Sequence, residues 1–76
     1  MVHIIKEIVS PSNQYKVQVI KNNDGIFTTK ICMWQKDSGY EFWSPINQGL
    51  SLIDTEESAI KIGIEQLREI SGEIIN

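Results

Sequence analysis

The fold is decided by the stretch YKVQVIKNNDGIFTTKICMW, residues 15 to 34. Apolar and polar residues alternate on both sides of its central NNDG, which is the pattern of two strands joined by a hairpin. A three-residue loop at residues 23 to 25, a type I turn that ends in a left-handed glycine, leaves one face apolar. We expect a helix to cover this face, which carries Tyr15, Val17, Val19, Phe27, Thr29, Ile31 and Met33. A two-residue loop would instead mix apolar and charged residues on one face.

Turn clusters divide the first two thirds of the chain into strands. Pro, Asn, Asp, Ser and Gly are concentrated at residues 10 to 13, 22 to 25 and 36 to 39. These residues favour turns through restricted or left-handed backbone angles and local hydrogen bonds. The predicted strands are therefore about 2 to 9, 14 to 21, 26 to 35 and 40 to 44. A looser stretch follows through Gly49 and leaves room for a short extended piece at Leu50 to Ile53.

The apolar period becomes helical after Ile53. Asp54 is a suitable N-cap, Glu57 completes a capping box, and Gly72 is a suitable left-handed stop. The sequence thus predicts an α+β domain that spans residues 1 to 76, a four-stranded antiparallel sheet in the order β-β-β-β-α. Its C-terminal helix packs on one face of the sheet.

The predicted helix has one apolar side and one residue that does not fit it. The apolar side carries Ala59, Ile60, Gly63, Ile64, Leu67, Ile70 and Ile74. Ile62 projects away from this side, and the chain ends in two isoleucines and an asparagine. Exposed apolar residues at these places favour a homodimer.

The sheet face away from the helix carries Lys16, Gln18, Ile20, Thr28, Lys30, Cys32 and Trp34. The next turn leaves two registers open. A three-residue loop at residues 37 to 39 places Tyr40 and Phe42 beside Trp34, whereas a two- or four-residue loop brings Trp43 there and sends the other two rings inward. In either register Trp34 has an aromatic neighbour on this face. The candidate binding residues are Trp34, Phe42, Tyr40, Trp43, Lys16, Lys30 and Ile20.

The distribution of charge along the chain affects which partners these rings can bind. The net charge is −3, and the excess of acids lies in residues 54 to 76, so the strands are left weakly basic. Three interpretations fit an aromatic sheet face. The face is covered by a second copy of the chain, by the loop at residues 44 to 49 or by the first strand; it binds a protein or peptide; or it binds single-stranded nucleic acid. In the last case the rings stack on bases, and Lys16, Lys21, Lys30 or Lys36 contacts phosphates.

The run YEFWSP at residues 40 to 45, continuing through GLSL at 49 to 52 into Glu56, Glu57 and the helix, resembles the positive cofactor four family of transcriptional coactivator p15-like proteins. The resemblance covers about half of the chain. It implies four strands followed by a helix, a homodimer, and binding of single-stranded DNA. Because this chain is acidic, we expect the topology and the dimer first, and DNA binding as the alternative.

Catalysis, metals and membranes find little support in the sequence. His3 is the one histidine and Cys32 the one cysteine, which are too few ligands for a structural zinc site. We expect no enzyme activity, no cofactor and no metal. A single cysteine cannot form an intrachain disulfide, which is typical of the cytoplasm. Lys6 and Glu7 interrupt the N-terminal apolar run before it reaches the length of a signal peptide or a membrane span. The sequence thus predicts a non-catalytic, cytoplasmic binding module, with homodimerisation as the first use of the aromatic face.

Overall fold

Four strands and one helix make up the computed structural model, which describes residues 3 to 75 and, except at residues 47 to 51, their side chains. The elements are β1 (His3–Val9), β2 (Tyr15–Lys21), β3 (Phe27–Asp37), β4 (Tyr40–Ile53) and α1 (Glu56–Ser71). The strands follow one another across an antiparallel sheet, and α1 packs on one face, mainly against β2 and β3. The predicted α+β class and strand number are thus confirmed. The predicted start of the first strand at Val2 lies outside the described residues.

The β2–β3 hairpin has the predicted three-residue loop. The amide of Asn22 donates to the carbonyl of Ile26 at 2.8 Å, and Gly25 closes the turn with a φ of 82°. The Asp24 carboxylate also accepts from the Ile26 amide at 3.1 Å. This loop pairs Val17 with Ile31, so the predicted apolar face lies beneath α1.

The β3–β4 hairpin has a two-residue loop, one of the two registers left open by the sequence. Ser38 and Gly39 have φ values of 49° and 86°, which is typical of a type I′ turn. Asp37 therefore pairs with Tyr40, and Trp34 with Trp43.

β4 is much longer than the predicted strand at residues 40 to 44. It continues to Ile53 and accommodates irregularities in its pairing with β3, one near Pro45 and one between Gly49 and Ile53. Proline is tolerated because β4 is an edge strand, where one side of the backbone has no strand to bond. The predicted break after residue 44 is therefore wrong.

The core between α1 and the sheet consists of two adjoining clusters. One contains Val17, Ile31, Leu67 and Ile75, and the other contains Val19, Phe27, Ile53 and Ala59. Each large side chain in them contributes about 1.5 to 3 kcal/mol through burial. Gly63 brings the helix close to β2, since a Cβ atom there would lie 3.3 Å from Cγ2 of Val17.

The ends of α1 agree with the prediction only in part. The N-cap is Thr55 and not Asp54, because the Thr55 hydroxyl accepts the Ser58 amide at 3.2 Å. At the other end Gly72 adopts the predicted left-handed conformation, with a φ of 69°. Within residues 3 to 75, no helix has the length and apolar character that crossing a membrane requires.

Three isoleucines of the helical segment depart from the predicted pattern. Ile62 packs against the second core cluster, so it is not an exposed apolar residue that favours a dimer. Ile70 and Ile74, predicted to lie on the covered side, are 43% and 85% exposed. Ile75 lies in the first core cluster instead. Its carbonyl accepts a hydrogen bond from Nε–H of Arg68 at 2.8 Å.

The tip of the β3–β4 hairpin projects beyond the rest of the sheet. β2 reaches only to Met33, which pairs with Tyr15, and to the Trp34 amide, which donates to the Gln14 carbonyl at 2.7 Å. Residues 35 to 42 therefore pair only with each other, and residues 36 to 42 are all exposed. We call residues 35 to 42 the hairpin arm.

Candidate binding face

The sheet face that α1 leaves uncovered is the candidate binding face, and we call it the open face. The residues that the strand registers place on it include Ile4, Glu7, Val9, Lys16, Gln18, Ile20, Thr28, Lys30, Cys32, Trp34 and Trp43. Five of them are candidate binding residues from the sequence: Ile20, Lys16, Lys30, Trp34 and Trp43.

Trp34 and Trp43 form the aromatic centre of this face. They are cross-strand partners, with ring centroids 5.1 Å apart and planes inclined at 66°, which is an edge-to-face contact. Such a pair contributes about 0.5 to 1.5 kcal/mol beyond area burial. Both rings remain half-buried, so part of their surface is available to a partner.

Lys16 connects the tryptophans to the charged part of the open face. Its ammonium lies 4.5 Å from the centroid of the Trp43 ring and 3.2 Å from the Glu7 carboxylate. The Lys16 side chain is only 10% exposed, so the carboxylate and the ring replace much of its hydration. This lysine supports the ring and is not available to a phosphate.

Glu7 is held as a carboxylate by its neighbours. The side-chain amide of Gln18 donates to it at 2.8 Å, and this bond is the main cause that lowers the pKa of Glu7 below its ordinary value. Burial opposes the shift, while the hydrogen bond and the charge of Lys16 add to it. The side chain is still 41% exposed, so an incoming group can reach its free edge.

Cys32 lies deep in the open face and has no histidine near it. Its strand partners are Lys16 and Pro45, and it is 4% exposed although no helix covers it. His3 pairs with Lys21 and shares the helix side of the sheet. The two residues are therefore on opposite sides of the sheet, and they do not form a nucleophile and base.

The β1 side of the open face is apolar at its two ends, on either side of Glu7. Ile20 is half-buried and pairs with Ile4, which is well exposed, and Val9 at the other end of β1 is also exposed. Lys30 lies next to this region, half-buried and opposite Gln18. Apolar surface with one carboxylate and one cation beside it is suited to contact with another protein surface.

The other two candidate rings, Tyr40 and Phe42, are not on the open face. Phe42 pairs with Gln35, and Tyr40 with Asp37, so both follow the helix-side alternation of β3. They are not buried there, because α1 does not extend over the hairpin arm, and they are 75% and 45% exposed.

The lysines predicted to contact phosphates are dispersed. Lys36 pairs with Glu41 at 3.3 Å on the hairpin arm, and Lys21 lies on the helix side, 5.9 Å from the centroid of Phe27. Lys16 is paired as described above. Among the described residues, Lys30 is thus the lysine of the open face without a carboxylate partner.

Glu7 is a charged member of this face that was not predicted from the sequence. A register shift between Ile4 and Lys6 sets which β1 residues face Lys16 and Gln18. Such a bulge leaves no clear mark in the sequence. Ile8 faces the core, so strand alternation places its neighbours Glu7 and Val9 on the opposite, open face. This alternation is the feature of the sequence that indicates the position of Glu7.

The described residues contain no group of three side chains able to hold a metal ion. No family model matches the sequence, and neither a curated protein nor a solved structure is significantly similar to it.

Proposed function

We propose that this protein is a non-catalytic binding module that forms a homodimer through its open face. The observation that carries the proposal is the Glu7–Lys16–Trp43 arrangement, in which a lysine beside the aromatic pair is already neutralised by a carboxylate. A face that binds nucleic acid keeps its cations free for phosphates. Here the cation beside the aromatic pair, Lys16, instead contacts Glu7 and Trp43 of the same chain.

A second copy of the chain fits the charges of the open face. Two-fold interfaces are self-complementary, so each patch must offer both members of every contact. The open face offers both signs, the exposed edge of Glu7 and the ammonium of Lys30, beside the apolar surface of Ile4 and Ile20. A stable interface takes about 800 Å² from each partner, roughly one sixth of the 5093 Å² exposed by the chain.

Single-stranded nucleic acid is the second candidate partner. Its support is the half-buried pair Trp34 and Trp43, since a ring with an accessible surface can stack on a base. The resemblance of residues 40 to 57 to the positive cofactor four family points the same way. This candidate requires Lys30 to supply most of the phosphate contact on the open face.

A charge reversal tests both candidates. Lys30→Glu removes the unpaired cation of the open face, and Lys61→Glu, on the exposed side of α1, is the matched control. We expect the wild-type protein to be a dimer. Its dissociation constant should rise about tenfold or more in Lys30→Glu, because truncation of a buried charge contact has an effect of this size. The dissociation constant should stay unchanged in Lys61→Glu. Light scattering over a dilution series measures it.

The same variants discriminate against the nucleic-acid candidate. A monomeric wild-type protein would contradict the homodimer. Salt-sensitive binding of a mixed-sequence oligonucleotide, lost in Lys30→Glu and kept in Lys61→Glu, would establish the second candidate in its place.

A further inference from the structure

Three residues of the open face form a straight row across the sheet, which we call the charged row. Glu7 of β1 pairs with Gln18 of β2, and Gln18 pairs in turn with Lys30 of β3. Neighbouring strands lie about 4.8 Å apart, so the backbone positions of Glu7 and Lys30 are about 10 Å from each other. The charged row therefore carries one charge of each sign at equal distances from its central residue.

Both charges of this row can form a further ionic contact. Oε2 of Glu7 contacts the Lys16 ammonium at 3.2 Å and accepts the Gln18 amide at 2.8 Å, while the Glu7 side chain remains 41% exposed. Lys30 is half-buried and has no carboxylate partner among the described residues.

An axis that runs across the strands does not bring these charges together. When two copies pack their open faces, a two-fold axis lies in the plane between the sheets, and an axis across the strands places each strand over its own copy. On the open face, β1 carries Ile4, Glu7 and Val9, and β3 carries Thr28, Lys30, Cys32, Trp34 and Lys36. Neither strand offers an opposite charge to its own copy on this face.

An axis that runs along β2 gives the opposite result. It places β2 over β2, and β1 of one copy over β3 of the other. Glu7 of each copy then faces Lys30 of the other, and Gln18 lies on the axis. Stacked sheets cross at about 30°, which at this distance from the axis displaces facing residues by only about 2.5 Å. An axis along any other strand would move β1 away from β3.

The rows on both sides of the charged row also fit this axis. Ile4, Ile20 and Thr28 form one of them, so Ile20 meets its own copy and Ile4 meets the Thr28 methyl group. In the other row the exposed Val9 comes to lie over Cys32.

Lys16, which lies between Val9 and Cys32 in that row, also comes to lie near the axis. Its charge is already neutralised by Glu7, and its side chain is only 10% exposed. The Glu7 carboxylate would therefore bridge Lys16 of its own copy and Lys30 of the other.

We propose that two copies of the chain pack their open faces about a two-fold axis along β2, with Glu7 of each copy bound to Lys30 of the other. This pairing rests on the homodimer proposed above and specifies which residues recognise the second copy. A self-complementary contact of this kind occurs twice in the dimer.

A double-mutant cycle tests the pairing. Glu7→Gln and Lys30→Gln should each raise the dissociation constant of the dimer about tenfold or more, because each leaves the opposite charge unpaired in the interface. The double variant should dimerise at least as tightly as either single variant, since neither member of the pair then remains charged. Light scattering over a dilution series measures all three.

Glu57→Gln, Lys61→Gln and their double variant form the matched control cycle, because both side chains are exposed on α1. They should leave the dissociation constant within about twofold of wild type. Effects of Glu7→Gln and Lys30→Gln that multiply in the double variant would overturn the pairing and leave the homodimer intact. A monomeric wild-type protein would overturn both.

The wild-type protein offers a second test that does not depend on variants. Ile4 and Thr28 lie about 10 Å apart within one sheet, on either side of Ile20. An isotope-filtered nuclear Overhauser experiment on mixed labelled and unlabelled protein should therefore show contacts between Ile4 of one copy and Thr28 of the other. Contacts of Ile4 with Ile4 of the other copy would overturn the axis along β2, and contacts confined to α1 would overturn the use of the open face as well.

Discussion

The ammonium of Lys16 lies 4.5 Å from the centroid of the Trp43 ring, although the two residues belong to strands that are not neighbours in the sheet. Cys32 of β3 stands between them, since it pairs with Lys16 on one side and with Pro45 on the other. The lysine and the ring thus meet across β3 and cover the thiol. The contact ties the edge strand β4 to β2 on the face that has no helix.

Removal of this charge tests its contribution to stability. Lys16→Met keeps the aliphatic stem and loses the contacts with Trp43 and Glu7. The free energy of unfolding should fall by about 1 to 2 kcal/mol, since a cation–π contact contributes about 0.5 to 1 kcal/mol at exposed sites and about 2 kcal/mol when it is desolvated. Lys21→Met is the control, since Lys21 lies 5.9 Å from Phe27 and is exposed. Equal stability of Lys16→Met and wild type in urea denaturation would contradict this role.

Glu7 should make the fold sensitive to acid. Its pKa is lower in the folded protein than the ordinary value of 4.5, so the stabilisation is present above pH 4.5 and is lost as pH falls through the folded pKa. Glu7→Gln should therefore be less stable than wild type at pH 7, and the difference should shrink toward pH 3. Urea denaturation at both pH values measures it, with Glu57→Gln as control. A difference that does not change with pH would show that the carboxylate charge is not involved.

Mutations in the two-residue turn should change the stability of the hairpin arm. Ser38 adopts a φ of 49°, which asparagine tolerates better. Ser38→Asn should stabilise the hairpin arm by about 0.5 kcal/mol, whereas Gly39→Ala should cost about 1 kcal/mol because alanine resists a positive φ. Thermal unfolding followed by the near-ultraviolet circular dichroism of the tryptophan pair measures both. Tolerance of Gly39→Ala would contradict the type I′ turn.

Close packing of the helix on β2 depends on Gly63. A Cβ atom there would lie 3.3 Å from Val17 Cγ2 and 3.6 Å from Thr29 Cγ2. Gly63→Val should therefore lower the free energy of unfolding by about 1 to 3 kcal/mol, as for other overpacked cores. Gly72→Ala tests a different cause, the left-handed φ of 69° with open space around it. Unchanged stability of Gly63→Val would show that α1 can move off the sheet freely.

The sequence predicts the β2–β3 register well and the β3–β4 register poorly, for one physical reason. Asn, Asp and Gly at residues 22 to 25 fit a single loop that keeps one face apolar. At residues 36 to 39 the chain has one glycine and flanking aromatics on both faces, so loops of two, three or four residues are all compatible. Ser38 takes a left-handed φ, which the presence of a serine in the sequence does not indicate.

Tertiary context accounts for the other differences. Pro45 indicates a strand end in the sequence but is accommodated because β4 lies at the sheet edge. Asp54 and Thr55 are both good N-caps, and the structure uses the second. Membership of Glu7 in the candidate site depends on the bulge in β1, and Tyr40 and Phe42 leave the open face because of the two-residue turn.

The most direct test of the homodimer is an isotope-filtered nuclear Overhauser experiment on a mixture of labelled and unlabelled protein. The proposal predicts contacts between chains from the indoles of Trp34 and Trp43 and the methyl groups of Ile20. Contacts between chains from Phe42 and Ile70 in their place, or a monomer of 8.7 kDa that gives none at millimolar concentration, would contradict it.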